Sequence, residues 1–517
     1  MHEQQKKKNI QTMGVMMLLT LLGKVLGLVR DMLLGHNFAT GMAADAFLAA
    51  SRIPRNFFDA IFASAISASF IPVFNEYLEK RGKDEAFRLS DAFISVMTLL
   101  TALLSALGML FAAPLTAFLT DGFDPMTAAL CTQLLRILFP TVLFTGLAFS
   151  LVGILQSLGE FNIPALLSTA SNAVIILYYI FFCDRFGVVG LAAAFLAGWA
   201  VQVLIQLPSL KRFGYRFRPT LRHEGLRKIF ALVGPVLVST WVQPLNLTVA
   251  TKYASNIPGG ASSLEYANTL YTIVAGVFVL SIANVIFPEL SRYAVREDEA
   301  ALGESIADTL GMMLFILTPM AVGLATLARP IVRLLYEWGE WGAESTATTA
   351  GALTWLSLGM IGYGVQIILS RVYYAAQQGK MPLIAGAASV LTNLALCALL
   401  SPSMGLSGLA LASAISLIVS ALVLLFALAR RYRALLGTGA LTEFFKMLLC
   451  SAVMGGAVWA AGALLNGRMS DSLIARVSLV AAPTVAGIIV YFVLARLCRI
   501  GTFARLLGLL RRKGREA

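Results

Sequence analysis

Apolar stretches about twenty residues long or longer, parted by short polar turns, recur from one end of the chain to the other. A helix that crosses a bilayer needs about 20 such residues. The pattern predicts fourteen helices, near 11–34, 42–76, 89–117, 127–157, 162–182, 187–209, 227–251, 264–290, 304–327, 346–375, 380–399, 405–429, 443–465 and 475–496. Lys6, Lys7 and Lys8 precede the first stretch as they would in a secretory leader. Its length, the lysine inside it and the many spans behind it make it a first membrane helix instead.

Composition supports the pattern. Of 517 residues, 58% are hydrophobic and 13% charged, against about 25% charged in soluble domains. The expected class is an all-α polytopic membrane protein. Of its 40 lysines and arginines, six fall inside the predicted spans, six on one side of the membrane and 28 on the other. Basic loops face the cytoplasm, so both termini are expected there. The net charge of +13 is then a product of topology beside anionic lipid and calls for no nucleic acid. Two segments, 496–515 and 211–228, mix basic and apolar residues and are candidates for interfacial helices. Cys131, Cys183, Cys397, Cys450 and Cys498 are scattered through apolar segments, with neither metal-ligand spacing nor a disulfide pattern.

An internal repeat organises the spans. Phe70-Ile71-Pro72 through Tyr77 matches Ile286-Phe287-Pro288 through Tyr293, Pro164 matches Pro382, and Gly187-Val188-Val189-Gly190-Leu191-Ala192 matches Gly405-Leu406-Ser407-Gly408-Leu409-Ala410. The matches keep one order at nearly one offset, which predicts two homologous halves. Six helices each gives the halves the same orientation, related by an axis along the membrane normal. The expected division is a first bundle at 1–210, a linker at 211–226, a second bundle at 227–430, two extra helices within 431–497 and a basic tail at 498–517.

The halves differ in chemistry. Lys24, Arg30, Asp31, Asp45, Arg52, Arg55 and Asp59 all lie in the first two spans. A charge at bilayer depth costs roughly 2.5–3.5 kcal/mol on insertion scales, and buried ion pairs seldom outperform apolar packing. A cluster this dense points to an anionic ligand, and arginine suits phosphate because its planar fork donates two hydrogen bonds at once. At 100° per residue, Asp45, Arg52 and Asp59 should form one column, while Arg30 turns away from Lys24 and Asp31 toward a neighbouring helix. The corresponding spans of the second half carry neutral polar groups, Gln243, Asn246, Asn268 and Thr269. A transporter with one charged wall (Asp59 included) and one neutral wall is expected, with no catalytic residue and no cofactor. A membrane enzyme acting on polyprenyl phosphates would need an acidic, metal-binding loop motif, and none stands out.

These residues resemble the MurJ/MviN lipid II flippases of the MOP exporter superfamily. Lys24-Val25-Leu26-Gly27-Leu28-Val29-Arg30-Asp31 carries the likeness, with Ala44-Asp45-Ala46-Phe47, Arg52-Ile53-Pro54, Phe70-Ile71-Pro72 and Glu76-Tyr77. Further matches are Tyr266-Ala267, Phe287-Pro288 and Tyr374 through Lys380 to Pro382. The resemblance implies a MOP-type fold and movement of undecaprenyl-diphosphate-linked muropeptide (lipid II) between leaflets by alternating access. The other reading left open is export of another polyprenyl-diphosphate-linked oligosaccharide. The resemblance further implies a diphosphate held by Lys24, Arg30 and Arg52 and a groove for the lipid tail formed by the last two spans; a monomer among membrane lipids is expected, with coupling of the net-cationic wall to membrane potential or of the protein to a monovalent cation. The chain departs from the family at Phe58, where many members carry arginine, and at Asn268-Thr269, where they carry Asp-Arg. Arg55 is the candidate to compensate. Family sodium sites use acids in the seventh and eleventh helices; here Asn393 is the one weak counterpart.

Overall fold

The computed structural model describes residues 2–240, 242–295, 299–376, 378–430, 438–466 and 472–505. Among them every regular element is helical, and ten stretches are long and apolar enough to cross a membrane. Each of the fourteen expected spans falls on helix. The chain divides into two compact units, Met1–Pro244 and Leu245–Ala517.

The first unit opens with α1 (His2–Phe38), followed by α2 (Met42–Ser51), α3 (Phe58–Ala65) and α4 (Ile71–Arg81). The second expected span is therefore one rod cut twice, because π-helical turns occupy Arg52–Phe57 and Ile66–Phe70. Pro54 lies in the first of these. Its ring has no N–H to give and crowds the preceding turn, which widens the helix there. Next come α5 (Lys83–Leu110), α6 (Ala112–Leu119), α7 (Pro125–Leu138), α8 (Thr141–Ser157), α9 (Asn162–Phe181), α10 (Cys183–Leu204), α11 (Leu207–Arg212) and α12 (Gly225–Thr240). The spans expected at 89–117 and 127–157 are each interrupted, at Phe111 and at Phe139-Pro140. Helix α7 starts sharply because the Asp124 carboxylate accepts from the Met126 and Thr127 amides at 3.0 and 3.1 Å, as an N-cap does.

Residues 213–224 are irregular, not the interfacial helix anticipated over 211–228. Their polar groups are taken up by tertiary bonds. Tyr215 Oη donates to Asp91 Oδ1 at 2.7 Å, Thr220 N to Ser95 Oγ at 3.2 Å, and Glu224 accepts from Arg81 and Tyr77. These ties bind the segment to α4 and α5. The contact-defined division accordingly falls after Pro244, later than the expected boundary at 227.

The second unit holds α13 (Val242–Ala254, all but its first three residues), α14 (Gly260–Val295), α15 (Glu299–Thr326), α16 (Ala328–Tyr336), α17 (Ala343–Ala375), α18 (Lys380–Ala429), α19 (Thr438–Asn466) and α20 (Leu473–Leu497). At 1.5 Å per residue, a straight α18 would run about 75 Å, over twice the bilayer core. Gly405 breaks it, with φ 55° and ψ −132°. Gly187 breaks α10 in nearly the same way, with φ 53° and ψ −147°. These are the paired glycines of the sequence repeat, and the positive φ explains the residue type: side chains with a Cβ avoid that region. Helices α19 and α20 pack on α15 through Phe315, Met447, Met454, Val458 and Tyr491, and Tyr491 Oη donates to Phe315 O at 2.9 Å. The expected basic tail runs beyond Arg505 into 506–517, outside the described residues.

Candidate functional site

Asn172 follows Ser168, Thr169 and Ser171 in the middle of α9, and it organises the charged end of α1. Its Nδ2 donates to Gly23 O at 3.1 Å, and its Oδ1 accepts from Arg30 Nη1 at 3.0 Å. Gly23 permits this crossing: a Cβ there would stand 3.2 Å from Ser168. Arg30 thus reaches a neighbouring helix, as its helical phase predicted, but contrary to the expectation it does not turn away from Asp31, because its long side chain folds back along α1. Its Nε and Nη2 both donate to Asp31 Oδ1, at 2.9 and 2.7 Å. From the π turn, Arg55 approaches the same place. The guanidinium carbons of Arg30 and Arg55 lie 5.5 and 5.7 Å from the centre of the Phe195 ring on α10. Cation–π contacts of this kind are worth about 0.5–2 kcal/mol, more as water is excluded. Phe195 is in turn held edge-on by Phe47 at 5.1 Å.

Both arginines line a cavity of about 460 Å³ within the first unit, together with Asp59, Asn172, Trp199 and Gln202. Asp59 Oδ1 accepts from Thr145 Oγ1 at 3.3 Å. The wall therefore presents two guanidiniums and one carboxylate, with amides and an indole beside them. It can hold an oxyanion by charge-assisted hydrogen bonds.

Other expected site residues lie elsewhere. Arg52 and Asp45 are each only 4% exposed and do not line the cavity. Of the anticipated column of Asp45, Arg52 and Asp59, only Asp59 lines the cavity. The column assumed 3.6 residues per turn throughout; the π turn at 52–57 holds more, so everything after it is rotated relative to α2. Lys24 is exposed on α1, six residues before Arg30 and outside the cavity lining. Sequence reasoning did not single out Asn172, Phe195, Trp199 or Gln202. The available signal was an amide inside a membrane span, Asn172 after a serine and threonine cluster and Gln202 four residues before Gln206.

In the second unit, Asn246 Nδ2 donates to Ser389 Oγ at 3.0 Å, and Asn393 Nδ2 donates to Asn246 O at 2.9 Å. Asn393 Oδ1 accepts from Cys397 Sγ at 3.4 Å. Asn393, the weak sodium candidate, is thus fully buried and joins α18 to α13. Asn268 and Thr269 are half-buried on α14. Gln243 lies outside the residues whose side chains are described. Among the described residues no three His, Cys, Asp or Glu side chains gather as metal ligands would.

A second feature of this unit is a cavity of about 490 Å³ between α14, α15, α19 and α20. Its walls are almost wholly apolar and include Phe278, Met320, Met454, Tyr491 and Phe492.

Comparison with known proteins adds to this geometry. The family model described as "Lipid II flippase MurJ" matches residues 34–479. A probable lipid II flippase MurJ of Haemophilus influenzae is 32% identical over 465 residues, 85% of this chain and 90% of its own length. Lipid II flippase MurJ of Burkholderia cenocepacia is 28% identical over 92% of this chain and 94% of its own. Among solved structures, a lipid II flippase MurJ in an inward closed conformation superposes with a TM-score of 0.78 at 25% identity, covering 93% of this chain and 98% of that one. An inward-facing MATE family multidrug transporter of the MOP superfamily matches with a TM-score of 0.65 at 18% identity, over 80% of this chain and 96% of that one, a likeness of fold alone.

Proposed function

The chain belongs to the lipid II flippase MurJ family, and from that premise we propose that it carries lipid II across the bacterial cytoplasmic membrane by gripping the diphosphate at Arg30 and Arg55. One observation carries the proposal: two arginines from different helices rest on a single ring, Phe195, and line one cavity. Asp31 and Asn172 fix the Arg30 head, so little side-chain entropy is lost when an anion arrives. Arg55 takes the place of one of the two arginines that the family pattern leads one to expect at Phe58 and Thr269. Lys24, about 9 Å along α1 from Arg30, meets the headgroup as it enters. The apolar cavity beside α19 and α20 receives the polyprenyl tail. No bond is made or broken; the work is binding, exclusion of competing lipids and movement.

The loop charge asymmetry supports both termini in the cytoplasm and a path from the inner to the outer leaflet. An inside-negative potential acts on the net-cationic wall, at about 2.3 kcal/mol per charge per 100 mV, and resets the empty protein inward. The protein works as a monomer.

The test is movement of labelled lipid II in sealed vesicles holding the purified chain. Wild type should transport, Arg30→Ala and Arg55→Ala should not, and unlabelled lipid II should compete better than another polyprenyl diphosphate. Equal competition by both lipids would assign the protein to a different cargo. Undiminished turnover with the potential clamped to zero would remove the voltage coupling.

A further inference from the structure

At the far end of α15 the second unit carries an arginine-rich cavity that the transport reading does not use. It measures about 540 Å³ and is lined by Arg329 and Arg333 of α16, Arg476 of α20, Trp459 and Asn466 of α19, and Glu337. Three positive groups face one carboxylate. That carboxylate is already shared: Glu337 Oε1 accepts from Arg333 Nε at 3.2 Å and Oε2 from Thr346 Oγ1 at 2.6 Å. Arg476 is fixed, with Nη1 donating to Glu337 O at 2.7 Å and its guanidinium 4.6 Å from the centre of the Trp338 ring. Arg329 is exposed and makes no ion pair among the described residues.

Two further features say what such a cavity would take. Trp338 and Trp459 flank it and are both exposed. Exposed tryptophans beside arginines mark the headgroup layer of a membrane. The cavity also adjoins the apolar one described above, since Leu327 and Val458 line both. A cationic mouth at headgroup depth therefore opens onto a dry slot.

We propose that this composite groove binds an anionic phospholipid, with its phosphate at Arg329, Arg333 and Arg476 and an acyl chain along Leu327 and Val458 toward Phe492. Charge selects the occupant: with two positive groups in excess of the one carboxylate, the mouth attracts a lipid whose phosphate diester leaves it a net anion, and a zwitterionic lipid would bring its own cation into the mouth. Under the orientation proposed above, the mouth lies in the outer leaflet, on the opposite side from the basic loops. The binding itself does not depend on that orientation. A lipid seated here would line the slot assigned to the polyprenyl tail, so release of cargo would be tied to lipid exchange at the mouth.

The experiment uses the full chain purified in mild detergent and titrated with phosphatidylglycerol or phosphatidylcholine of the same acyl chains, with bound lipid counted by native mass spectrometry. Phosphatidylglycerol should be retained over phosphatidylcholine. Replacing two charge-assisted contacts in Arg329→Gln/Arg476→Gln should lower its retention about tenfold or more. Because Arg476 also holds main-chain carbonyls, Arg329→Gln alone, at an exposed position, should show a smaller loss in the same direction. Thr484→Trp, which fills the slot from its exposed rim, should reduce retention with the arginines intact. Arg55→Ala should leave retention unchanged, which separates this site from the diphosphate site whether or not that variant transports. Equal retention of the two lipids, full displacement by inorganic phosphate alone, or indifference to Arg329→Gln and Thr484→Trp together would overturn the proposal.

Discussion

The two units repeat one plan and differ in what they present to a ligand. In the first, α9 is tied to α1 by Asn172 donating to Gly23 O; in the second, α18 is tied to α13 by Asn393 donating to Asn246 O. Both break a helix at equivalent glycines, Gly187 and Gly405, with closely similar dihedral angles. Yet the first tie also holds an arginine beside a polar cavity, while the second ends on Cys397 in a buried interior. The shared framework is set by small residues and amides at helix crossings. The arginine-lined cavity is added to it by a few side chains in one copy.

The comparison breaks most sharply at the arginines. Arg30→Ala should leave Asp31 without its main partner and cost roughly 3–5 kcal/mol, abolishing transport in vesicles. Asn246→Ala, in the neutral unit, should lower thermal stability and leave measurable transport. Equal loss of transport in both would mean that the units share the ligand evenly. Next in size are the glycines. Gly187→Ala and Gly405→Ala should each cost about 1–3 kcal/mol of backbone strain at positive φ, read as similar falls in unfolding temperature. No atom lies closer than 4.0 Å to a Cβ at either site, so the penalty comes from the backbone. A large difference between the two variants would show that the repeat is not a structural one.

The asparagines come third. Asn172→Ala and Asn393→Ala each remove a buried hydrogen bond worth about 1 kcal/mol, and thermal unfolding should register both. Transport should fall further for Asn172→Ala, since Arg30 loses its anchor. The smallest effect concerns the loop peculiar to the first unit. Arg81, then Tyr77, hydrogen-bond Glu224 and hold its carboxyl below the ordinary value of 4.5. A depressed carboxyl stabilises above its unfolded value and gives that up as pH falls through the folded one. Lowering pH from 6 to below 4 should therefore loosen residues 213–224, measured by hydrogen exchange, and Glu224→Gln should remove that dependence.

Much of this was legible in the chain. Long apolar runs located the helices because a bilayer leaves the backbone no other way to satisfy its polar groups. Gly187 and Gly405 disclosed the repeat because a positive φ narrows the choice of residue. The side of α1 that carries Arg30 followed from helical phase. Asp59 lines the cavity, but its expected alignment with Asp45 and Arg52 assumed an unbroken spiral, and one wide turn at Pro54 shifts every residue after it relative to α2. Phe195 and Asn172 escaped notice because their roles depend on arginines 140 or more positions away in sequence. An apolar ring in an apolar helix gives no local hint that two guanidiniums will rest on it.

The wide turn at Arg52–Phe57 also sets what evolution can do with this stretch. It stores one surplus residue, so deleting one of the six would let an ordinary spiral close up with Asp59 near its present bearing, whereas adding a residue would turn Asp59 by roughly a quarter turn. Exchanges of residue type there remain open to drift, while one added codon would face the acid away from its arginine.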